Sequence, residues 1–111
     1  YNANPSSMKS AIKNFIDIDY PNKFFVLGDM LELGEDAHYE HLQIIKQLKE
    51  YRIKGIFVGE IFNSNKNNSE YNFFLNINDA RQYLALLAIN NSLILIKGSR
   101  GIKLEQLMDL F

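Results

Sequence analysis

The sequence lacks cysteine, so disulfide bonds are excluded and a reducing compartment such as the cytoplasm fits the composition. It also lacks any apolar run near the ~20 residues that a membrane-spanning helix needs, and no stretch typical of a secretory signal opens it. The charges almost cancel, to a formal net charge of -1, which gives no reason to expect a nucleic acid or an anionic membrane as partner. What remains is the balance of an ordinary globular domain, with 47% hydrophobic and 23% charged residues.

Several catalytic and nucleotide-binding motifs are missing as well. No GxxxxGK[ST] segment exists, and Gly28 and Gly34 lie too far apart to form GxGxxG. No serine stands in a GxSxG context. With two histidines, no cysteine and no HxxxE-type spacing, a structural zinc site is disfavoured. The sequence therefore argues against an autonomous ATPase, a dehydrogenase of the usual kind and an esterase.

Uninterrupted apolar segments alternate with amphipathic ones along the chain. The apolar segments predict strands at residues 24–27, 55–58, 71–75 and 93–96, and the polar Asn72 places the third nearer a sheet edge. Helices are expected before the first strand and after the first, third and fourth. This order predicts one α/β domain, a three-layer Rossmann-like fold whose mainly parallel sheet is covered on both faces.

Capping signals and apolar stripes support the helices. Asn4 is a good N-cap with Pro5 at the first helical position, and Asn78 or Asp79 is expected to cap the helix after the third strand. Segment 60–70 is polar and rich in asparagine, which predicts a surface loop with at most one irregular helical turn. The predicted buried stripes are Met8, Ala11, Ile12 and Phe15; Ala37, His41, Ile44, Ile45 and Leu48; Ala80, Tyr83, Leu84 and Leu87; and Leu104, Leu107, Met108 and Phe111.

Two loops at strand ends carry the candidate chemistry. Segment 97–101 offers Lys97, Ser99 and Arg100 between a strand and an expected helix, so an anion such as a carboxylate or a phosphate is expected there. After Gly28, Asp29 and Glu32 are expected at the same edge, where they would receive an ammonium group or hold a metal through water. The competing interpretation of both loops is an ordinary βα turn with solvated charges.

Other polar residues have simpler explanations. Glu35 and Asp36 are expected to serve the positive end of the following helix. His41 falls on an apolar face, which favours a hydrogen-bonded packing histidine over a ligand, and His38 is expected to be exposed.

Three ordered motifs carry a resemblance to a known family. Segment 1–8, YNANPSSM, resembles the DxYNANPxSM stretch of the Mur ligases that add D-alanyl-D-alanine. Segment 26–36, VLGDMLELGED, is similar to their VLGDMLELG segment, and His41 falls where the family has a histidine. Segment 97–100 is similar to their KGSR. The resemblance implies the carboxy-terminal domain of a three-domain enzyme, so residues 1–111 are expected to be one domain of a longer protein.

The same resemblance implies a reaction and a set of contacts. An amino-terminal domain would hold the UDP part of UDP-muramoyl tripeptide, and a central domain would hold ATP and Mg²⁺. ATP would phosphorylate the tripeptide carboxylate, and the amine of D-Ala-D-Ala would displace the phosphate in cytoplasmic peptidoglycan precursor synthesis. The dipeptide side would be Asp29, Glu32, Lys97, Ser99 and Arg100. Tyr1, Asn2 and Asn4 would contact the nucleotide side at the hinge, and neither a catalytic residue nor a metal ligand is assigned to this chain, which is expected to be inactive alone.

Three alternatives stay open at this point. One is a related ligase of the Mur or folylpolyglutamate type, although its loops would differ at GDMLELG and KGSR. Another is a signalling receiver domain, disfavoured because Val58 is followed by Gly59 and Glu60 rather than by a phosphoacceptor aspartate. The third is a protein-interaction module without a small ligand.

Overall fold

A computed structural model describes residues 3–66 and 69–111 of the chain. Four strands form one parallel sheet in the order β3-β2-β1-β4. The strands are β1 (Lys23–Gly28), β2 (Lys54–Val58), β3 (Asn72–Phe74) and β4 (Leu93–Lys97). The helices are α1 (Pro5–Asp17), α2 (Ala37–Glu50), α3 (Glu60–Asn63) and α4 (Ile77–Leu87), and 3₁₀ turns cover Gly34–Asp36, Arg100–Ile102 and Leu104–Leu110. The predicted α/β class, the parallel sheet and the edge position of the third strand are confirmed.

The sheet separates two apolar cores because successive side chains of a strand point to opposite faces. On one face, Phe25 and Leu27 of β1 and Phe57 of β2 pack against α1, α2 and α3. On the other face, Val26 and the β2 residues Ile56 and Val58 pack against α4 and the last 3₁₀ segment. This arrangement is the expected three layers, with both faces of the two central strands buried.

The first helix forms as its sequence indicates. Asn4 accepts a hydrogen bond from the Ser7 N–H at 2.9 Å, and the Ser7 hydroxyl accepts one from the Asn4 N–H at 3.1 Å, which completes a capping box. Pro5 occupies the first helical position, and Met8, Ile12 and Phe15 are buried.

The cap and the end of α4 differ from expectation. The cap is Asn76, whose side chain accepts from the Asp79 N–H, rather than Asn78 or Asp79. Leu87, expected on the buried side, is 44% exposed because the chain turns away at Ala88, which adopts the left-handed conformation.

The expected last α-helix was wrong. Residues after Ser99 form two 3₁₀ segments separated by Lys103, which has φ 63°. With about three residues per turn, side chains at i and i+3 lie above one another. Leu104 and Leu107 are therefore buried, whereas Met108 and Phe111 are 56% and 42% exposed.

The expected surface loop at 60–70 was partly wrong. The single helical turn is present as α3, but its Phe62 is fully buried and packs on Phe57 and His41. Asn65 is also buried. Residues 67 and 68 of this segment lie outside the described part of the chain.

Within the described residues, no helix is long and apolar enough to cross a membrane.

Candidate functional site

The two candidate loops meet at one edge of the sheet. β1 and β4 are parallel neighbours in register from Lys23 beside Leu93 to Leu27 beside Lys97, so both chains leave the sheet side by side. The Ser99 N–H then donates to the Asp29 carbonyl at 2.9 Å, and the Leu31 N–H donates to the Ser99 hydroxyl oxygen at 2.8 Å. The prediction that the acidic and cationic loops share the carboxyl edge is confirmed.

Glycine allows this close approach. A Cβ built on Gly98 would lie 2.8 Å from the Gly28 Cα, a separation that real Cβ atoms essentially never show. The two backbones therefore touch directly where they leave the sheet. Segments 28–33 and 97–101 form one continuous surface, which is called the paired loops below.

The Asp29 side chain faces inward rather than outward. Its Oδ2 accepts the Ile61 N–H at 2.8 Å and its Oδ1 accepts the Phe62 N–H at 2.9 Å, so it holds the first turn of α3. The residue is 2% exposed. Burial raises the pKa of Asp29 above its ordinary value, while the two N–H donors act in the opposite direction by favouring the ionised form. The geometry suits a carboxylate that accepts two backbone hydrogen bonds.

Gly59 makes room for that carboxylate. Its φ is 131°, a conformation that residues with a Cβ rarely adopt. A Cβ built there would collide with the Asp29 carboxylate carbon and both of its oxygens. The Gly59 N–H donates to the Phe74 carbonyl at 2.7 Å, so the residue also joins β2 to β3 at the same edge.

His41 lies beneath the paired loops, fully buried in α2. Its Nε2 accepts the Met30 N–H at 2.9 Å, and its Nδ1 lies 2.6 Å from the Ala37 carbonyl oxygen. Because Nε2 is an acceptor, the ring proton sits on Nδ1 and the imidazole is neutral. Burial lowers the pKa of His41, in agreement with this tautomer. The 3.9 Å separation from Asp29 is therefore a near approach of a neutral ring to a carboxylate rather than an ion pair.

The remaining polar groups of the paired loops reach the surface. Glu32 is exposed and has φ 65°, an uncommon conformation for a non-glycine residue. Arg100 is exposed and Lys97 is half-buried. His38 is exposed as expected. Glu35 and Asp36 are also exposed and lie in the 3₁₀ turn before α2, and neither Asp36 nor Leu33 makes a side-chain cap hydrogen bond.

The helix dipole invoked for an anion site after Ser99 is absent from the structure. Arg100–Ile102 is a single 3₁₀ turn, closed by a hydrogen bond from the Lys103 N–H to the Arg100 carbonyl. So short a turn has too few aligned peptide groups to act as a helix terminus. Attraction of an anion to this edge therefore depends on the side chains of Lys97 and Arg100.

The structure describes one of the three hinge residues that were expected to contact a nucleotide. Asn4 uses its side-chain oxygen to cap α1, as the competing interpretation required. Tyr1 and Asn2 lie outside the described residues.

The chain's own donor groups do not fit a magnesium nucleotide. Within residues 3–66 and 69–111, no group of three or more His, Asp or Glu side chains is arranged to hold a metal ion. The sequence has no phosphate-cradling GxxxxGK[ST] segment either.

Sequence reasoning missed α3 and Gly59 as parts of the site. Both follow β2, and their polar atoms are backbone groups, which leave no signature in residue type. The available signal was a glycine directly after a buried strand, which often marks a close approach or a positive φ.

Comparison with known protein families shows the class to which the chain belongs. The family described as "Mur ligase, glutamate ligase domain" matches residues 1–100. The chain belongs to this family of Mur ligase carboxy-terminal domains. This membership rules out the alternative that the chain is a signalling receiver domain.

Individual relatives show which members of this family the chain resembles. A protein of Rickettsia prowazekii (strain Madrid E) named UDP-N-acetylmuramoyl-tripeptide–D-alanyl-D-alanine ligase is 32% identical over 117 residues, covering 100% of this chain and 26% of that protein. A Bacillus subtilis (strain 168) protein of the same name is 36% identical over 117 residues, covering 97% and 26%. A crystal structure of MurF from Acinetobacter baumannii superimposes with a TM-score of 0.84 at 31% identity, covering 99% of this chain and 26% of that one. The chain thus spans about a quarter of the length of these relatives.

Proposed function

We propose that this chain is the substrate-positioning domain of an ATP-dependent ligase that joins D-Ala-D-Ala to UDP-N-acetylmuramoyl-tripeptide in the cytoplasm. The observation that carries the proposal is the pair of loops at the carboxyl edge of the sheet, in a chain whose relatives carry that ligase name. Amino-terminal and central domains would hold the UDP part of the substrate, ATP and Mg²⁺.

The chemistry of the dipeptide matches the exposed groups of the paired loops. Its carboxylate suits Arg100, because a guanidinium pairs with a carboxylate through two parallel hydrogen bonds, and Lys97 adds a second cation. Its amine suits Glu32, which is exposed on the acidic loop. We assign the Asp29 carboxylate to holding α3 against its loop and the Ser99 hydroxyl to holding the two loops together, since each accepts backbone N–H groups.

Positioning is the contribution that such a domain makes to amide formation. The attacking nitrogen forms a C–N bond to the activated carboxyl carbon, phosphate leaves that carbon, and the nitrogen loses a proton. Holding the amine and the acyl group in line converts an encounter of two molecules into a step within one complex, which lowers the barrier by up to about 7–11 kcal/mol in well-oriented cases. A cationic anchor at the far end of the dipeptide aims its amine in this way.

The test uses the longer protein that contains this chain, expressed from its gene. Incubated with UDP-muramoyl tripeptide, D-Ala-D-Ala and ATP, it should form the pentapeptide product, with ADP and phosphate released in equal amounts; mass spectrometry identifies the product. The 111-residue chain serves as the control and should form none. Glutamate or a diamino acid accepted in preference to the dipeptide would overturn the proposal in favour of another ligase of the family.

A further inference from the structure

His41 and Ser99 accept hydrogen bonds from two successive N–H groups of segment 28–33. His41 binds the Met30 N–H from below, and the Ser99 hydroxyl binds the next N–H along the chain, that of Leu31. The carboxylate of Asp29 binds α3, and the Asp29 carbonyl binds the Ser99 N–H. Residues 29–31 are therefore fixed by direct hydrogen bonds to α2, α3 and the loop after β4, and the Asp29 N–H also donates to the Val58 carbonyl of β2.

The only side chains needed for these contacts are buried ones. Asp29 and Ser99 are each 2% exposed and His41 is fully buried. Glu32 is the first residue after the fixed segment, and its φ of 65° is imposed on a residue that has no intrinsic preference for it. The direction in which Glu32 leaves the sheet edge is thus set by residues 29–31.

We propose that His41 is a positioning residue, whose neutral ring clamps the Met30 backbone and so fixes the paired loops as one rigid unit that presents Glu32 and Arg100 to the dipeptide. The expected effect on catalysis rests on the proposed function. The clamp, which is the hydrogen bond from the Met30 N–H to the His41 ring, does not. The acceptor atom Nε2 is the part of the ring that matters, since it accepts the Met30 N–H of the loop.

Burial keeps the ring neutral although two charged groups around it, Asp29 and Glu40, favour the charged form. Asp29 approaches from the loop, and Glu40 and His38 lie on the same helix as His41. Glu40 is paired with Lys9 of α1 at 3.5 Å, and α3 contributes the Phe62 ring in edge contact and Glu60 beyond Asp29. A proton added at Nε2 would face the Met30 N–H directly, so a charged ring and the clamp exclude each other.

Two near-isosteric variants separate the two hydrogen bonds of the ring. His41→Gln places an oxygen near the position of Nε2 and keeps the acceptor for Met30, and His41→Asn keeps a donor near Nδ1 and loses that acceptor. Ser99→Ala removes the hydrogen-bond partner of the Leu31 N–H.

In the 111-residue chain, hydrogen exchange can be followed by NMR. The Met30 amide should exchange faster in His41→Asn than in His41→Gln by about tenfold, which is the scale of one net hydrogen bond. Equal exchange in the two variants would overturn the clamp.

The longer ligase supplies the second readout. We expect His41→Asn and Ser99→Ala to raise the KM for D-Ala-D-Ala about tenfold, with the KM for ATP within about twofold of wild type and His41→Gln close to wild type. A purely structural role would lower the amount of active enzyme and change neither KM, and that result would overturn the positioning role. If the ligase does not use D-Ala-D-Ala at all, the proposed function fails while the exchange measurement still decides the clamp.

Discussion

Replacing Asp29 tests whether its carboxylate belongs to the fold or to the substrate. Asp29→Ala removes two charge-assisted hydrogen bonds to the Ile61 and Phe62 N–H groups and leaves the Phe62 N–H buried without that acceptor. Each such bond contributes about 1.5–3 kcal/mol, and the saved cost of burying the charge offsets part of the sum. We expect the free energy of unfolding to fall by about 3–4 kcal/mol.

The assay is urea unfolding of the 111-residue chain at neutral pH, followed by circular dichroism. Asp29→Asn keeps the shape and one acceptor oxygen, so it should lose about 2 kcal/mol and supplies the measurement if the alanine variant does not fold. Glu32→Gln is the matched control, because it removes a charge from an exposed residue of the same loop and should change the unfolding free energy by at most about 0.5 kcal/mol.

A loss below about 0.5 kcal/mol in Asp29→Ala would refute the reasoning. It would mean that the α3 N–H groups find other partners and that the carboxylate is available to a ligand. A loss in Glu32→Gln as large as that in Asp29→Asn would likewise refute it, since the effect would then follow from charge rather than from the two hydrogen bonds.

Three further outcomes follow from the same contacts. Gly59→Ala, which forces a Cβ onto the Asp29 carboxylate at φ 131°, should lower the unfolding free energy by at least about 2 kcal/mol and the melting temperature by about 8 °C or more, measured by calorimetry. Asn4→Ala should cost about 1 kcal/mol in the same urea assay through loss of the α1 cap, with Asn14→Ala on the exposed face as control. The pKa of His41 is lower in the folded state than its ordinary value of about 6.5. The free energy of unfolding should therefore be highest above about pH 6.5 and should decrease as the pH falls below that value, by up to about 1.4 kcal/mol per pH unit. His41→Gln should lack this slope, and the same urea assay on both proteins across this pH range measures it.

The sequence was informative wherever burial follows from the hydrophobicity of a side chain. The stripe of Met8, Ile12 and Phe15 and the apolar run into Gly28 depend on side-chain hydrophobicity, which residue type records directly. The same reasoning failed for the last segment, because leucines at i and i+3 suit an α-helix and a 3₁₀ turn equally well. Lys103, whose left-handed conformation separates the two 3₁₀ segments, is a lysine, and its residue type does not predict that conformation.

The site was predictable in position but not in detail. Parallel strand ends must lie at one edge, so the meeting of the two loops followed from the fold class. Which side chains turn inward did not follow, because the inward direction of Asp29 is set by backbone N–H groups of α3 and by the missing Cβ of Gly59. Neither the backbone N–H groups nor the missing Cβ can be predicted from the polarity of a residue.

The central claim is that the paired loops aim the dipeptide through its carboxylate, and Arg100 tests it most directly. In the longer ligase, Arg100→Ala should raise the KM for D-Ala-D-Ala about 100-fold, the scale of one bidentate charged pair, and leave the KM for ATP within about twofold. Arg52→Ala is the control, an exposed arginine that precedes β2 at the opposite end of the sheet, and it should change neither value. Equal increases in both KM values for Arg100→Ala, or no increase in either, would contradict the account.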